Sequence, residues 1–520
     1  MVNLKIQSDI KISDRISKDN CLGTVMYIGE VPPTKGIWLG IDWDEPTRGK
    51  HNGTYDGVQY FVSKYPLSGS FIRPEKAMTG RSLCSAIEER YGCQQFDLPD
   101  DERQSLKKSM NAPLLEMVGF EKINQMQSCF SNLAVVGVRD HNVSSAGEPN
   151  QLAEMVPNIR DLDLSKNLLP DWQIVAEITR QLPLLKTLNL SENHLNLPDE
   201  TESFKDAFET LKEILLSRMD YNWNQILYCI EMFPAIEMLM VPCNGITELS
   251  SPPSLNKMLL TNLKFLDLEC NQIKHWQEIN KLGTLPMLET LNLSCNGLED
   301  IILPNDSSLF LSLKTLLLPQ NKICKWTDVS ELDKLQSLEE IRFTENPVLK
   351  DYNVESSRQI IIARISKLKI LNRVEITKSE REQSEYDYLK NNGKLWMESQ
   401  KNEELKTRFL AEHSQYLLLV KKYGPPEESE FAIKPTTLNS KLITVSLCSG
   451  GKCIQKKVPK SMLVNSLITL VQRLFNAGQR SPKLVYHSTK NPGIEIEMDN
   501  LLKALEFYSI EDGDKIDVLW

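Results

Sequence analysis

The sequence lacks the features of several large classes of protein. Nowhere in its 520 residues is there a run close to the about 18–20 apolar residues that a membrane-spanning helix needs. The first residues lead directly into Lys, Asp and Ser rather than an apolar segment, so no signal peptide is expected. The formal net charge is −10, which argues against a general nucleic-acid binder. We therefore expect neither a membrane nor a nucleic acid as a partner.

Motifs for catalysis, cofactors and metals are also missing. The 11 cysteines include no Cys-x-x-Cys pair and no framework of a small secreted domain, which predicts reduced thiols and a cytoplasmic protein. There is no His-Glu-x-x-His motif and no Gly-x-x-x-x-Gly-Lys-Ser/Thr loop. Cys243, Cys270 and Cys295 follow the repeat spacing described below, and we interpret them as equivalent small buried positions. The sequence thus predicts no enzyme, no cofactor and no metal site.

The N-terminal region contains a dense set of candidate binding residues. Strands are predicted at 23–29, 37–43 and 69–74, because aromatic and β-branched runs alternate there with glycine and proline. Glycine lets a foreign backbone approach closely, a lysine can pair with an anion, and aromatic rings can line a groove. Residues 1–80 carry ten Lys and Arg against nine Asp and Glu, so they tolerate an acidic ligand better than the acidic remainder. The candidates are Trp38, Gly49, Lys50, His51, Asn52, Gly53, Tyr60 and Phe61.

This region resembles the CAP-Gly domain, a small all-β barrel, over nearly the whole of residues 1–80. The family's hallmark loop, Gly-Lys-Asn-Asp-Gly, reads Gly49-Lys50-His51-Asn52-Gly53 in this chain. The resemblance implies that the loop and the aromatic residues near it bind C-terminal Glu-Glu-Tyr/Phe tails, such as those of α-tubulin and end-binding proteins. Lys50 would meet the acidic residues, and N–H groups of the loop would hold the terminal carboxylate.

A repeat follows the segment 81–129, which we interpret as a connection. Its pattern is Leu-x-x-Leu-x-Leu-x-x-Asn with conservative replacements, and its landmark positions lie 25–27 residues apart. This regularity predicts an α/β leucine-rich-repeat solenoid with a C-terminal cap over residues 130–376, in which the asparagines satisfy backbone groups at the turns. Seven landmarks are asparagine and two are degenerate: His141, Asn167, Asn193, Met219, Asn244, Asn271, Asn296, Asn321 and Asn346.

The C-terminal part is predicted to hold two further regions. Residues 377–438 read as a charged helical extension with a solvated face, followed by a linker. In residues 439–520 a hairpin around Ser449-Gly450-Gly451-Lys452, a helix near 463–475 and two later strands resemble an α+β ubiquitin-like (β-grasp) domain. The sequence has no Gly-Gly end, and we therefore expect a docking module rather than a conjugated one.

The order of the three modules resembles the tubulin-folding cofactor E family of tubulin-specific chaperones, nearly end to end. The resemblance implies that α-tubulin, the αβ-tubulin dimer and other tubulin-folding cofactors are partners, and that the protein is associated with the cytoskeleton. Two alternatives remain open at this stage. One is a microtubule-associated CAP-Gly adaptor, although no long coiled coil or basic Ser/Pro-rich flank is present. The other is a shuttle that links tubulin to the proteasome through residues 440–520.

Overall fold

A computed structural model describes residues 10–92, 130–250, 259–304, 309–425, 442–478, 480–487 and 495–520. These residues form two compact units. The first contains the described residues up to Ile273 together with Lys281–Asn296, and the second contains Lys274–Asn280 together with those from Gly297 onward. None of the described helices combines the length and the apolar character that crossing a membrane requires. The predicted connection after residue 92 and the linker after residue 425 lie outside the described residues.

The first unit begins with a small β-module. Its four-stranded antiparallel sheet has the order Arg15–Lys18, Cys21–Glu30, Ile37–Trp43 and Gly69–Ile72. A two-stranded ribbon, Thr54–Tyr55 with Val58–Gln59, lies between the last two strands in the chain. Ile16, Val25, Ile41 and Trp43 form the centre of the apolar core. The three predicted strands are confirmed, because glycine and proline end each aromatic run where the sequence places them.

Residues 81–92 fold onto the start of the repeats. The strand Arg81–Ser82 pairs in parallel with Val143–Ser145, and the helix Leu83–Tyr91 buries Leu83, Cys84, Ala86 and Ile87. The Ser82 hydroxyl accepts a hydrogen bond from the Ser85 N–H and so caps the N-terminus of that helix. The predicted boundary at residue 80 remains a prediction, but part of the segment after it is folded.

The repeats of the first unit form a parallel sheet. In each strand the middle residue is buried and its two neighbours are half-buried or exposed on the other face, except that Asn292 is also buried. The strands are Val135–Gly137, Asp161–Asp163, Thr187–Asn189, Glu213–Leu215, Met238–Met240, Phe265–Asp267 and Thr290–Asn292. The helices between them are Gln151–Met155, Trp172–Thr179, Lys205–Phe208 and Trp223–Ile230, with 3-10 turns at Phe130–Asn132 and Glu202–Phe204. Both degenerate repeats contribute a strand.

The landmark asparagines act as predicted. Asn167 is fully buried, and its amide donates to the carbonyls of Val138 and Leu164 while its Oδ1 accepts from the N–H of Val143. Asn193 repeats the pattern one turn later, with its Oδ1 accepting from the Asn167 N–H at 2.9 Å. Since unpaired backbone groups are costly inside a protein, these side chains fix the register of each turn against the next.

The second unit begins with repeat strands of the same kind. Thr315–Leu317, Glu340–Arg342 and Ile370–Leu371 are parallel neighbours, and Val374–Glu375 pairs antiparallel with the last of them. The helices here are Trp276–Asn280, Trp326–Glu331 and Val354–Arg364, with 3-10 turns at Leu332–Lys334 and Pro347–Leu349. Val354–Arg364 buries Ile361 and Ile362, which agrees with a cap over the last repeat.

The charged stretch after residue 376 is helical as predicted, but its interpretation as a solvated face is wrong. It forms Lys378–Asn391, Gly393–Ser399, Glu403–Glu412 and Tyr416–Tyr423. These helices share an apolar core that includes Tyr388, Trp396, Phe409 and Tyr416. Charge dominates the composition of the segment, yet aromatic residues spaced along it face inward and bury its helices against each other.

The C-terminal residues form a β-grasp sheet with one helix. The strand order is Lys452–Pro459, Leu442–Ser449, Lys515–Leu519, Lys483–His487 and Glu495–Glu497, and the two middle strands Leu442–Ser449 and Lys515–Leu519 are parallel. The helix Val464–Leu474 packs Val464, Leu467 and Val471 into the core, and Leu505–Tyr508 is a 3-10 turn. The predicted hairpin and helix are confirmed.

Two expectations for the cysteines are wrong. Cys448 and Cys453 form a disulfide, because they lie directly opposite each other in the hairpin with Cα atoms 4.1 Å apart. Cys270 is exposed and Cys243 and Cys295 are half-buried, so these three are not buried small residues. They occupy the turn after each strand rather than the core.

Candidate partner-binding site

The hallmark loop is held in place by backbone contacts with the strand Gly69–Ile72. The N–H groups of Lys50 and His51 donate to the Gly69 carbonyl, and the Gly69 N–H donates to the His51 carbonyl at 2.8 Å. A Cβ on Gly49 would lie 2.4 Å from the Gly69 oxygen. Gly53 has φ +94°, and a Cβ there would lie 2.0 Å from the Phe61 oxygen. Both glycines are therefore needed for the loop to pack this closely.

His51 and Asn52 shape the loop from inside. His51 Nδ1 lies 3.0 Å from the Gly53 N–H and accepts its hydrogen bond. Burial, and secondarily the nearby Lys50 charge, lower the pKa of His51, which keeps the ring neutral. Asn52 Oδ1 accepts from the Thr54 N–H in an Asx turn. The N–H groups of Lys50, His51, Gly53 and Thr54 all donate within the module, so these four are not available to a ligand's carboxylate, and the role expected for the loop's N–H groups stays a prediction.

Aromatic side chains gather around Phe71. Its ring centre lies 5.1 Å from that of His51, 5.4 Å from Tyr60 and 5.6 Å from Phe61. Tyr27 and Tyr55 also contact it edge to face. We call these six side chains the Phe71 cluster. Its central member, Phe71, was not among the predicted site residues, although it follows Gly69 and Ser70 on a predicted strand and is next to buried Ile72.

The members of the Phe71 cluster differ in exposure. Phe61 is 7% exposed and supports the site from below, so it is core rather than groove wall. Tyr60 and Phe71 are half-buried, and Tyr55 is 43% exposed. Rings that remain partly open in this way offer flat apolar surface to a ligand while their inner edges are packed.

Trp38 lies apart from the Phe71 cluster, with which it makes no ring contact among residues 10–92. Instead the Arg73 guanidinium carbon stands 3.9 Å from the Trp38 ring centre, and the Trp38 Nε1–H donates to Thr34 Oγ1 at 2.8 Å. Arg73 also donates to the carbonyls of Lys35 and Ile37. The structure thus brings His51, Tyr60 and Phe61 together but places Trp38 beside a cation that the sequence did not single out.

Lys50 provides the free charge at this site. The residue is exposed, and no carboxylate lies within ion-pair distance of its ammonium in the described part of the chain. Its backbone is fixed by the Gly69 carbonyl, so only the side chain can move. A lysine that has no acidic partner of its own can pair with an acid brought by a ligand.

Ionic contacts join the β-module to the repeats within the first unit. Lys64 Nζ lies 2.5 Å from Asp220 Oδ2, and His194 stands between Asp220 at 3.3 Å and Asp44 at 3.7 Å. Asp44 is also paired with the buried Arg15. Burial raises the pKa of Asp44, but the Arg15 guanidinium outweighs it and holds that pKa below its usual value. The β-module is thereby attached to the repeats of the same unit.

Parts of this chain match a known family or are similar to solved domain structures. Residues 12–77 match the CAP-Gly domain family. A solved structure of the CAP-Gly domain of Bik1, with an ETF peptide from Bim1, is 34% identical and covers 13% of this chain and 88% of that one, with a TM-score of 0.12. The solution structure of the C-terminal ubiquitin-like domain of mouse tubulin-specific chaperone e is 33% identical, covers 17% of this chain and 94% of that one, and has a TM-score of 0.15.

Two full-length relatives extend the similarity over the whole chain. Tubulin-specific chaperone E of Danio rerio is 40% identical and covers 98% of this chain and 99% of its own length. The protein of the same name from Xenopus laevis is 39% identical over 100% of both chains. At this identity and coverage, the chain belongs to the tubulin-specific chaperone E family.

Proposed function

We propose that this chain is a non-enzymatic chaperone of tubulin that binds α-tubulin at two places. The groove of the β-module takes the acidic C-terminal tail, and the repeats take the folded body. The names of its relatives support a role with tubulin. The observation that carries the proposal is an exposed Lys50 with no ionic partner among the described residues, next in the chain to His51 of the half-open Phe71 cluster.

The chemistry of the groove fits a tail that is acidic and ends in an aromatic residue. Glutamates of the tail pair with Lys50, and its final ring packs on Tyr60 and Phe71. Gly49 and Gly53 allow the close approach of the loop, while His51 and Phe61 hold it from inside. Because the N–H groups of Lys50, His51, Gly53 and Thr54 already donate within the module, we assign the tail's carboxylate to side chains, among them exposed Asn52, two residues after Lys50. Trp38 contributes at the edge, together with Arg73.

We assign the folded body of α-tubulin to the partly exposed face of the repeat strands in the first unit. Leu215, Met238, Met240 and Phe265 form an apolar stretch on adjacent strands there, and all four are half-buried. Acidic residues border it, among them Glu213 and Asp267. The ionic contacts through Lys64 and His194 hold groove and repeats in one unit, so a tail and a body bound together benefit from a high effective concentration.

The β-grasp module and the family resemblance support further partners. We assign residues 442–520 to docking of another tubulin-folding cofactor, with which the protein acts in folding, assembly and dissociation of the αβ-tubulin dimer. Two alternatives make different predictions: a microtubule-associated adaptor would bind polymer more tightly than free dimer, and a shuttle to the proteasome would alter tubulin lifetime through these residues. Comparing binding to polymer and dimer, with and without residues 442–520, separates the three.

The test of the groove is Lys50→Ala, measured by titration with a peptide of the α-tubulin C-terminal tail. We expect affinity to fall about five- to tenfold and its salt dependence to weaken, because a charge-assisted contact is lost. Lys11→Ala is the matched control, since Lys11 is exposed and precedes the strand at the opposite edge of the sheet from Phe71. Equal affinity of the Lys50 variant and the unaltered protein would refute the assignment.

A further inference from the structure

Three cysteines stand at one repeated position that gives no structural reason for cysteine. Cys243, Cys270 and Cys295 each precede a landmark asparagine and have φ of 58°, 54° and 57°. Other repeats fill this left-handed position with long polar residues that are exposed or half-buried: Lys166, Glu192, Arg218, Gln320 and Glu345. Left-handed backbone does not favour cysteine over these residues, and the position is not in the core. Burial and backbone geometry therefore do not explain three consecutive thiols.

The turns bring two of these thiols and a carboxylate together. The Cys243 N–H donates to the Glu269 carbonyl, and the Cys270 N–H donates to the Ser294 carbonyl at 2.9 Å, so successive turns stack in register. Sγ of Cys270, Sγ of Cys295 and a carboxylate oxygen of Glu269 all lie within 4.8 Å of one another. We call these three residues the thiol triad.

The carboxylate of the thiol triad is itself oriented. Asn292 Nδ2 donates to Glu269 Oε2 at 3.0 Å, and the Glu269 N–H donates to Asp267 Oδ1 at 2.9 Å. The bond from Asn292 fixes the direction of the Glu269 carboxylate, as in metal sites, and leaves its other oxygen available, while the bond from the Glu269 N–H holds the turn. The asparagine ladder, with Asn271 Nδ2 bonded to the Leu268 carbonyl, holds the turns that carry both thiols.

We propose that Glu269, Cys270 and Cys295 bind one zinc ion on the surface of the repeats. Two thiolates and a carboxylate are ligand types that zinc accepts in tetrahedral sites, and a small inward movement of the side chains brings their atoms to zinc-ligand distances. The fourth position is open to water. The site is separate from the groove around Lys50, and the repeat spacing that suggested ordinary core cysteines is also what aligns the ligands.

The test is a zinc titration of the full-length protein in a non-thiol reductant, with a fluorescent zinc chelator as competitor. We expect one site that competes with the chelator in the unaltered protein, and zinc affinity at least about a hundredfold weaker in Cys270→Ser and Cys295→Ser. Glu269→Gln should weaken it as well, because an anionic ligand is replaced by a neutral amide. Cys324→Ser controls for the number of thiols, because Cys324 is exposed and outside the triad.

Cobalt gives an independent measurement. The unaltered protein titrated with Co²⁺ should show a thiolate-to-cobalt charge-transfer band together with the intense visible d–d bands of a four-coordinate site, and both should weaken strongly in Cys270→Ser. Circular dichroism of each variant checks that the repeats remain folded. Zinc affinity that is the same in Cys270→Ser as in the unaltered protein, or a cobalt spectrum without the thiolate band, would overturn the proposal.

Discussion

The Phe71 cluster and the helical core of residues 378–423 use similar side chains in opposite ways. In the helical core Trp396, Phe409 and Tyr416 are 9%, 7% and 0% exposed, and their ring centres lie 4.9–5.5 Å apart. In the Phe71 cluster the ring centres of the five neighbours lie 5.1–6.3 Å from that of Phe71, but Tyr55, Tyr60 and Phe71 remain partly open. Aromatic contacts that are closed stabilise a fold, whereas contacts that are left half open supply a binding surface.

Polar groups follow the same division. In the helical core the Tyr416 hydroxyl donates to the Leu389 carbonyl, the Tyr423 hydroxyl donates to Glu385, and Lys422 pairs with the same carboxylate. Around the Phe71 cluster, the N–H groups of Lys50, His51 and Gly53 donate within the module, but the Lys50 ammonium is not paired by any described residue. A candidate partner site is thus marked by a charged group to which the local structure gives no ionic partner.

The largest expected effect is the loss of stability when a buried ring is removed from the helical core of residues 378–423. Phe409→Ala should lower the free energy of unfolding of the helical segment by about 3–5 kcal/mol, because a buried ring that stacks on His413 at 4.4 Å leaves a cavity. Hydrogen exchange of Glu403–Glu412 measures it. Leu405→Ala is the matched control on the same helix, since Leu405 is 48% exposed. If hydrogen exchange were unchanged in Phe409→Ala, or if tail-peptide affinity fell, the rings of the helical core could not be assigned to stability alone.

Acid should act on the same core by way of His413. Burial, followed by the charge of Arg364, lowers the pKa of His413 to about 4, and its Nδ1 lies 2.6 Å from the Tyr388 hydroxyl. An unfolded histidine titrates near 6.5, so the unfolded state binds the extra proton first, and stability is lost as pH falls from about 6.5 towards 4. The full loss is of the order of 3 kcal/mol.

This pH dependence can be measured by hydrogen exchange at pH 7 and pH 5, corrected for intrinsic rates. Glu403–Glu412 should lose protection relative to Val464–Leu474, a helix without histidine that serves as an internal control. Equal changes in the two helices would show that His413 does not carry the effect.

Removing the central ring of the Phe71 cluster should affect binding more than stability. Phe71→Ala removes the ring that five others contact, and we expect it to weaken tail-peptide binding by about 2 kcal/mol, close to thirtyfold. Ile12→Ala is the control, because Ile12 is 61% exposed and precedes the strand at the opposite edge of the sheet. If Phe71→Ala unfolded the module without a change in affinity of the folded fraction, the cluster would be core only.

The sequence predicts the periodic features of the chain well and the packing of the two aromatic regions poorly. Periodic features were predictable: the strand Ile37–Trp43 has the predicted bounds, and the landmark asparagines bond as expected, because spacing alone determines which side faces inward. The closed core was misjudged, since its rings are scattered among charges and their packing depends on how four helices meet. Phe71 was missed for the same reason, because only the tertiary fold brings it to His51 and Tyr60.

The smallest expected effect concerns the link between groove and repeats. Lys64→Ala breaks an ion pair whose two side chains are 47% and 46% exposed, and such pairs contribute about 0–1 kcal/mol. Affinity for the whole αβ-tubulin dimer should fall by less than about fivefold, while affinity for the tail peptide stays unchanged, because only the coupling of the two contacts is weakened. Lys205→Ala is the control, since it removes an exposed pair with Glu202 within the repeats. Equal losses for peptide and dimer would place Lys64 in the groove itself. Lys64 would then count among the residues that bind the tail, and not among those that only hold the β-module to the repeats.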